Sequence, residues 1–183
     1  MAKKVLVPIA NGTEEMEAVI LIDMFRRAGL DVTIAGEDHD MVCSRGVILK
    51  PEKLIKDISS DMYFDAVVLP GGAEGTRNLG ANSHLISIME NTKNQDGIIG
   101  AICAAPKILS DSGFLEKGSK ATSHPSVKNE LGECEYTENR VERHGNVFTS
   151  RGTGTAFEFA SAIISELVSK EKSEEILEAI IYK

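Results

Sequence analysis

The sequence predicts an α/β protein built on a mainly parallel sheet, and two observations lead to this fold class. Short runs rich in β-branched residues alternate along the chain with longer stretches of helix-forming residues. The joints between them are short and several contain glycine, so a strand passes almost directly into the helix that follows it. Strand, helix, strand order with short joints is typical of parallel sheets, because parallel neighbours require a crossover connection.

The first half of the chain repeats this alternation. Gly29 marks the end of the first helix, Pro70-Gly71-Gly72 closes the third long strand, and Ser44-Arg45-Gly46 provides a turn between two short strands. The predicted elements are strands at 4–9, 31–35, 65–69 and 97–102, helices at 14–28, 82–92 and 104–110, and a hairpin or added pair of strands at 41–49.

The second half is more mixed. It predicts a strand at 120–123, a short helix opened by His124-Pro125, an alternating segment at 140–149, a helix that ends near Val168 and a last helix from about Ser173. The long helix is supported by apolar residues at helical spacing: Ala156, Phe159, Ala160, Ile163, Ile164 and Leu167. There is no internal repeat, low-complexity tract or linker, so we expect one domain over residues 1–183.

Composition and charge argue against several classes of protein. The net charge is -8, from 28 acidic and 20 basic residues, and no basic run exceeds two residues, which argues against nucleic acid as a primary partner. The apolar run after Lys3-Lys4 is shorter than the roughly 7–15 residues of a signal peptide, and no stretch approaches the ~20 residues of a membrane span. We therefore expect a cytoplasmic protein without a membrane partner.

The three cysteines are Cys43, Cys103 and Cys134. They are odd in number and lack C-x-x-C spacing, so free thiols are expected rather than disulfides or a zinc site. No H-E-x-x-H motif, dinucleotide fingerprint or phosphate loop occurs, and the sequence predicts neither a metal nor a cofactor.

Cys103 is the candidate nucleophile. It lies where an apolar strand runs directly into a helix, and a thiol at the positive end of a helix is expected to have a lowered pKa. The alternative is a buried cysteine that acts only as a small hydrophobic residue. Gly71 and Gly72 end another strand of the same predicted sheet, where their amides, together with that of Ala104, could form an oxyanion hole. A tight turn that needs only glycine conformations is the alternative for these two.

Two further residues are candidates for proton transfer. Glu17 begins the apolar side of the first helix, so it could be partly buried with a raised pKa, whereas acids in a first helical turn usually face solvent. His124 follows a short strand, at a position suited to the edge of an active site.

Several motifs together resemble the ThiJ/PfpI superfamily, and within it the branch that contains the parkinsonism-associated, glyoxalase III-type deglycase and its bacterial homologues. The likeness covers essentially the whole chain. The motifs are Asn11-Gly12-Thr13-Glu14-Glu15-Met16-Glu17, Arg26-Arg27-Ala28-Gly29, Leu69-Pro70-Gly71-Gly72, Ala101-Ile102-Cys103-Ala104-Ala105-Pro106, Ser123-His124-Pro125, Glu138-Asn139-Arg140-Val141 and Thr149-Ser150-Arg151-Gly152-Thr153-Gly154-Thr155.

This resemblance implies a flavodoxin-like fold of the class I glutamine amidotransferase type, with helices on both faces of the sheet, and a homodimer. It makes Cys103 an oxidisable nucleophile, Glu17 a buried protonated partner of the thiol and His124 a residue near the pocket. Gly72 and Ala104 correspond to backbone donors of the oxyanion site. Arg27 and Arg45 correspond to arginines that line an anion site near the dimer interface. The apolar residues of the first helix, around residues 16–25, also exceed what one buried stripe needs, which supports a dimer contact.

Two departures from the resemblance matter. Protease-type members carry histidine directly after the nucleophile, and here that position is Ala104, so peptidase activity is not expected. Thr153 stands where related chains often have proline, which changes the edge of the pocket.

The expected function is cofactor-independent chemistry on small 2-oxoaldehydes such as methylglyoxal, or on their adducts with proteins. The alternative is a redox-sensing stress protein or chaperone that acts through oxidation of Cys103.

Overall fold

A seven-stranded sheet forms the centre of the computed structural model, which describes residues 2–182. The strand order is β10-β11-β7-β6-β1-β2-β5, and all neighbours pair in parallel except the antiparallel β10 and β11. The strands are β1 (Lys4–Ile9), β2 (Asp31–Gly36), β3 (Met41–Val42), β4 (Ile48–Leu49), β5 (Lys53–Leu54), β6 (Ala66–Leu69), β7 (Ile98–Ile102), β8 (Lys120–Ala121), β9 (Glu135–Tyr136), β10 (Val141–His144) and β11 (Val147–Ser150). The mainly parallel α/β fold predicted from the sequence is confirmed.

Six helices cover the two faces of this sheet. They are α1 (Glu15–Arg27), α2 (Ala73–Ala81), α3 (Ser83–Asn94), α4 (Pro106–Asp111), α5 (Ala156–Leu167) and α6 (Lys170–Ala179). Side chains alternate between faces along each strand, so Val5 and Val7 pack with α1, α5 and α6, whereas Leu6 packs with α2, α3 and α4. Both faces are therefore apolar, and the central strands are buried at nearly every position.

The structure differs from the sequence prediction mainly in short or weakly patterned elements. Helix α2 lies in a segment to which no element was assigned, because its buried residues, Gly75, Thr76 and Leu79, form no apolar stripe. Strands β5 and β9 have two residues each and were also missed. Helix α4 begins at Pro106 rather than 104, and α6 begins at Lys170 rather than near 173. The predicted hairpin is confirmed, since β3 and β4 pair in antiparallel fashion.

The parallel strands all end at one edge of the sheet, and this places the candidate residues together. The segments that leave β1, β6, β7 and β11 at this edge contain residues 10–14, 70–72, 103–105 and 151–154, respectively. Ligand sites in open α/β sheets form at this carboxyl edge. Among residues 2–182, no helix is both long and apolar enough to span a membrane.

Candidate active site

Cys103 occupies a sharp turn directly after β7. Its φ of 66° lies in the left-handed region, which is uncommon for a residue with a side chain. Backbone hydrogen bonds hold the turn on both sides: the Cys103 N–H donates to the Ser150 carbonyl at 3.0 Å, and the Cys103 carbonyl accepts from the His124 N–H at 2.8 Å. A conformation that costs energy and is fixed by its surroundings is typical of functional positions.

Glu17 lies in the first turn of α1 and has no exposed surface. Its carboxyl oxygens contact two other segments: Oε2 accepts from the Gly71 N–H at 2.8 Å, and Oε1 accepts from the Thr153 hydroxyl at 3.0 Å. The carboxyl group is also hydrogen-bonded to the Cys103 thiol. The predicted pairing of an acid with the thiol is therefore present, with Glu17 at the junction of four chain segments.

Burial raises the pKa of Glu17 to about 7 from the ordinary value of 4.5, and the negative charge of Glu14 adds to the increase. Hydrogen bonds from Gly71, Thr153 and Cys103 act in the opposite direction, because they favour the ionised carboxylate. A group with this pKa is present in both protonation states near neutral pH. It can therefore either donate or accept a proton there.

The pKa of the Cys103 thiol is raised to about 12, and this contradicts the lowered value expected from the sequence. Burial is the main cause and the negative charge of Glu17 is the second, while the amides of Gly72 and Ala104 lower the value. The expected effect of the helix is weak because α4 has only six residues and begins at Pro106, which carries no N–H. Protonation of Glu17 removes the repelling charge, so formation of the thiolate depends on the acid beside it.

The glycines after β6 have separate roles. The backbone N–H groups of Gly72 and Ala104, the predicted oxyanion donors, lie beside the Cys103 sulfur and lower the pKa of its thiol. The Gly71 amide is instead occupied by Glu17, so Gly71 is not an oxyanion donor in this structure. A Cβ atom at Gly71 would lie 2.5 Å from Cys103 Cβ and 2.8 Å from Glu17 Oε2. Glycine is therefore required for the acid and the thiol to approach each other.

His124 lines the same cavity, but its ring contacts neither Glu17 nor the thiol through the hydrogen bonds described for residues 2–182. Its Nδ1 accepts from the Ser126 N–H at 3.2 Å, which caps the short 3₁₀ helix at Pro125–Glu130. In the neutral ring this leaves the proton on Nε2. His124 is consequently placed to donate a hydrogen bond to a molecule in the cavity.

The two arginines predicted at an anion site occupy different places. Arg45 lines the cavity from the β3–β4 hairpin, whose turn is held by Glu15 through the Ser44 hydroxyl and the Arg45 N–H, both at 2.8 Å. Arg27 lies in the last turn of α1, where it pairs with Asp23 at 2.5 Å, and it does not line this cavity. Arg45 is therefore the cation that a small anionic or carbonyl group in the cavity would encounter.

The cavity has a volume of about 540 Å³, which is sufficient for a small metabolite. Within residues 2–182 no group of three or more His, Cys, Asp or Glu side chains is arranged to hold a metal ion. The lining residues are Gly12, Glu14, Ser44, Arg45, Gly72, Ala73, Glu74, Cys103, Ala104, His124, Ser126, Gly152 and Thr153.

Comparison with known protein families identifies the family to which the chain belongs. The profile of the DJ-1/PfpI family matches residues 3–166. The chain belongs to the DJ-1/PfpI family. The crystal structure of Drosophila melanogaster DJ-1beta superposes with a TM-score of 0.94 at 41% identity, covering 100% of both chains.

Two curated members of the DJ-1/PfpI family extend this comparison. The Danio rerio protein named Parkinson disease protein 7 homolog is 39% identical over 186 residues, which span 99% of this chain and 98% of that protein. A Caenorhabditis elegans member named glutathione-independent glyoxalase DJR-1.2 is 33% identical over 170 residues, which span 91% of this chain and 89% of that protein. The resemblance seen in the sequence motifs is confirmed.

Two site residues of this DJ-1/PfpI protein were not assigned a role from the sequence. Thr153 was recognised only as a departure from the usual proline, yet its hydroxyl contacts Glu17. Glu15 looked like an ordinary acid of a first helical turn, yet it is buried and organises the turn that contains Arg45. Both contacts join residues far apart in the chain, so local pattern gave no signal for them.

The other two cysteines lie outside the cavity. Cys43 is buried in the turn of the β3–β4 hairpin, where burial and the charge of Glu15 raise its pKa to about 11. Burial also raises the pKa of Cys134, which is partly exposed. Neither has the backbone amides and carboxyl partner that surround Cys103.

Proposed function

We propose that this DJ-1/PfpI protein converts small 2-oxoaldehydes such as methylglyoxal to 2-hydroxy acids without a cofactor, with Cys103 as nucleophile. The observation that carries the proposal is the pairing of Cys103 with Glu17, a buried acid that can hold or release a proton near neutral pH. The family member named a glutathione-independent glyoxalase supports the same class of reaction. Adducts of 2-oxoaldehydes on protein amines or thiols are the second substrate class, since the cavity is open to solvent at His124 and Glu74.

The first step forms a bond between Cys103 and the aldehyde carbon, C1. The reactive form of the pair has its single proton on Glu17 and the charge on sulfur. As the S–C1 bond forms, the C1=O π bond breaks and its electron pair moves to oxygen, within reach of the Gly72 and Ala104 amides. The proton of Glu17 then passes to this oxygen, which gives a neutral hemithioacetal and leaves Glu17 ionised.

The second step is an internal isomerisation. The Glu17 carboxylate removes the proton from C1, the C–H electrons form a C1=C2 double bond, and the C2 carbonyl oxygen takes up the negative charge. Arg45 is the arginine that lines the cavity and can approach that charge, and the Nε2–H of His124 is a second donor on the cavity wall. Return of the proton to C2 and transfer of the C1 hydroxyl proton to the C2 oxygen give a 2-hydroxyacyl thioester. No electrons enter or leave.

The third step is hydrolysis. Water attacks C1 of the thioester and the C1–S bond breaks. One proton of the water returns to the pair of Cys103 and Glu17, and the other is released to solvent as the acid leaves as lactate. The Gly72 and Ala104 amides, which lie beside the sulfur, stabilise the oxyanion again in this scheme. Peptide hydrolysis is not proposed, because Ala104 occupies the position where a second base would be needed.

The test is lactate formation from methylglyoxal by protein freed of metals with a chelator. We expect multiple turnovers by the unmodified protein and no lactate above background from Cys103→Ala. Cys134→Ala is the matched control, because this second free thiol lies outside the cavity, and it should retain full activity. Lactate from Cys103→Ala at the rate of the unmodified protein would refute the proposal, and so would stoichiometric modification of Cys103 without turnover.

A redox-sensing role is the second candidate, and a specific observation favours it. The Gly72 and Ala104 amides and the Glu17 carboxylic acid all face the Cys103 sulfur, so they could hydrogen-bond to the oxygens of a sulfinate. Stoichiometric, peroxide-dependent gain of two oxygens at Cys103, in protein that does not turn over methylglyoxal, would favour this role over the enzyme.

We also propose that the protein is a homodimer. The β3–β4 hairpin and the start of α1 expose neighbouring apolar side chains beside the active-site cavity, with Met16 58% and Ile48 64% exposed. The other members of this surface are Val19, Val42 and Val47. In the later part of α1, Leu21, Met24 and Phe25 are buried within the chain against α5, so the apolar surface that this part offers to a dimer contact is smaller than the sequence suggests.

A further inference from the structure

Thr153 connects the buried acid to the open cavity. It is the first residue of a short 3₁₀ turn, Thr153–Thr155, in the segment that follows β11. Its side chain is partly exposed and lines the cavity, while its Oγ1 lies 3.0 Å from Glu17 Oε1. The turn is fixed by the Thr155 hydroxyl, which contacts Ser150 Oγ at 2.7 Å and the Gly152 N–H at 3.1 Å. The Thr153 hydroxyl is therefore held in place.

Each chain segment packed around Glu17 supplies a different kind of group. The segment after β6 supplies the Gly71 N–H, the turn after β7 supplies the titratable thiol of Cys103, and the start of α1 supplies the charge of Glu14. Arg45 of the β3–β4 hairpin and His124 face the cavity. Among these groups in residues 2–182, the hydroxyl of Thr153 is the side-chain donor to the carboxyl group that has no titration of its own.

We propose that Thr153 is a positioning residue whose hydroxyl stabilises the ionised form of Glu17 and thereby sets the pH range in which the Cys103 thiol reacts. A hydrogen bond donated to a carboxylate oxygen favours the charged form. Without the hydroxyl, Glu17 retains its proton to higher pH. The single proton shared with Cys103 then lies more often on the acid, which leaves sulfur more often as the thiolate.

The role of Thr153 depends on the geometry of Glu17 and Cys103 and not on aldehyde turnover, so it can fail or hold independently of the proposed function. The direct measurement is titration of the Glu17 carboxyl group by infrared difference spectroscopy, in a Cys103→Ser background that removes the coupled thiol. The spectrum of Glu17→Gln in the same background identifies the carboxyl band. Thr153→Val removes the hydroxyl and keeps the side-chain size, and Thr153→Ser keeps the hydroxyl.

We expect Thr153→Val to raise the Glu17 midpoint by about one pH unit, and Thr153→Ser to restore the original midpoint. With Cys103 present, the rate of alkylation by iodoacetamide at pH 8 should rise severalfold in Thr153→Val, while the rate at pH 5, where Glu17 is protonated in both proteins, should not change.

An unchanged Glu17 midpoint in Thr153→Val overturns the inference. A midpoint that moves equally in Thr153→Ser also overturns it, because the packing of the turn and not the hydroxyl would then be responsible. Thermal melting of each variant reports its folding. If Thr153→Val does not fold, Thr153→Ala provides the same test with the same expected direction.

Discussion

Replacement of Glu17 by glutamine tests the buried carboxyl group through the pH dependence of folding. The folded protein raises the pKa of Glu17 from 4.5 to about 7, mainly through burial. At 1.36 kcal/mol per pKa unit, this difference corresponds to about 3 kcal/mol. Because the folded state binds the proton more tightly, the stabilisation is fully present below pH 4.5 and is lost as the pH rises through about 7. Glutamine is nearly isosteric, can accept from the Gly71 amide, and does not titrate.

The assay is the free energy of unfolding by urea at a series of pH values from 4 to 8, for the unmodified protein and for Glu17→Gln. The difference between the two proteins removes the contribution of all other ionisable groups. Glu17→Gln should gain up to about 3 kcal/mol relative to the unmodified protein between pH 4 and pH 8.

Glu15→Gln is the matched control, because removal of this carboxyl group should change the free energy of unfolding in the opposite direction. Burial alone would raise the pKa of Glu15, but hydrogen bonds from its own amide, Ser44 and Arg45 outweigh burial and lower it. Glu15→Gln should therefore be less stable than the unmodified protein at neutral pH, and the deficit should shrink as the pH falls through the acidic range. A difference between Glu17→Gln and the unmodified protein that stays constant from pH 4 to 8 would refute the assignment of Glu17 as a buried acid with a raised pKa.

Three further predictions concern the surroundings of the site. Gly71→Ala should lose about 1–3 kcal/mol of stability in thermal unfolding, because its Cβ would overlap Cys103 and Glu17. Gly80→Ala, in the last turn of α2 with no contact closer than 3.4 Å, should be neutral or slightly stabilising, and equal effects would contradict this packing argument. Mild peroxide should oxidise Cys103 before Cys43 in peptide mapping, since Cys43 is buried in the turn of the hairpin and does not line the cavity. The reverse order would remove Cys103 as the reactive thiol. Sedimentation should give a dimer for the unmodified protein and a shift to monomer for Ile48→Glu, while a monomeric unmodified protein would exclude the dimer.

The central sheet could be predicted from the sequence because its signals are local. The central strands β1, β6 and β7 are nearly continuous apolar runs that are buried on both faces, so no partner needs to be known to recognise them. Helix α5 repeats its apolar residues at helical spacing, and this stripe is buried. In contrast, β5 and β9 have two residues each and exist because a neighbouring strand offers hydrogen bonds. Nothing in their own residues distinguishes them from loops.

The candidate site could be predicted in part for a similar reason. Cys103 and Gly72 follow recognisable strands, and the carboxyl ends of parallel strands meet at one edge, so their proximity follows from the fold. The contact between Thr153 and Glu17 joins residues 136 positions apart, and which oxygen each donor reaches depends on the packing of the whole edge. Likewise, the Gly71 amide donates to Glu17, which lies 54 residues earlier in the chain. The residues near Gly71 therefore give no sign that this amide is already bonded.

The raised pKa of Cys103 shows why its position in the sequence was insufficient to predict the ionisation of the thiol. A thiol after a strand and before a helix suggests a positive environment, but here the helix begins too late and the sulfur is buried beside a carboxyl group. The thiol and Glu17 therefore behave as one acid with a shared proton, and the thiolate exists when Glu17 holds that proton. This is the arrangement that the proposed aldehyde reaction needs, since attack at C1 requires sulfur charged and Glu17 protonated, while removal of the C1 proton requires Glu17 ionised. Transfer of the proton from Glu17 to the first oxyanion converts the pair from one state to the other, so the acid of the first step becomes the base of the second.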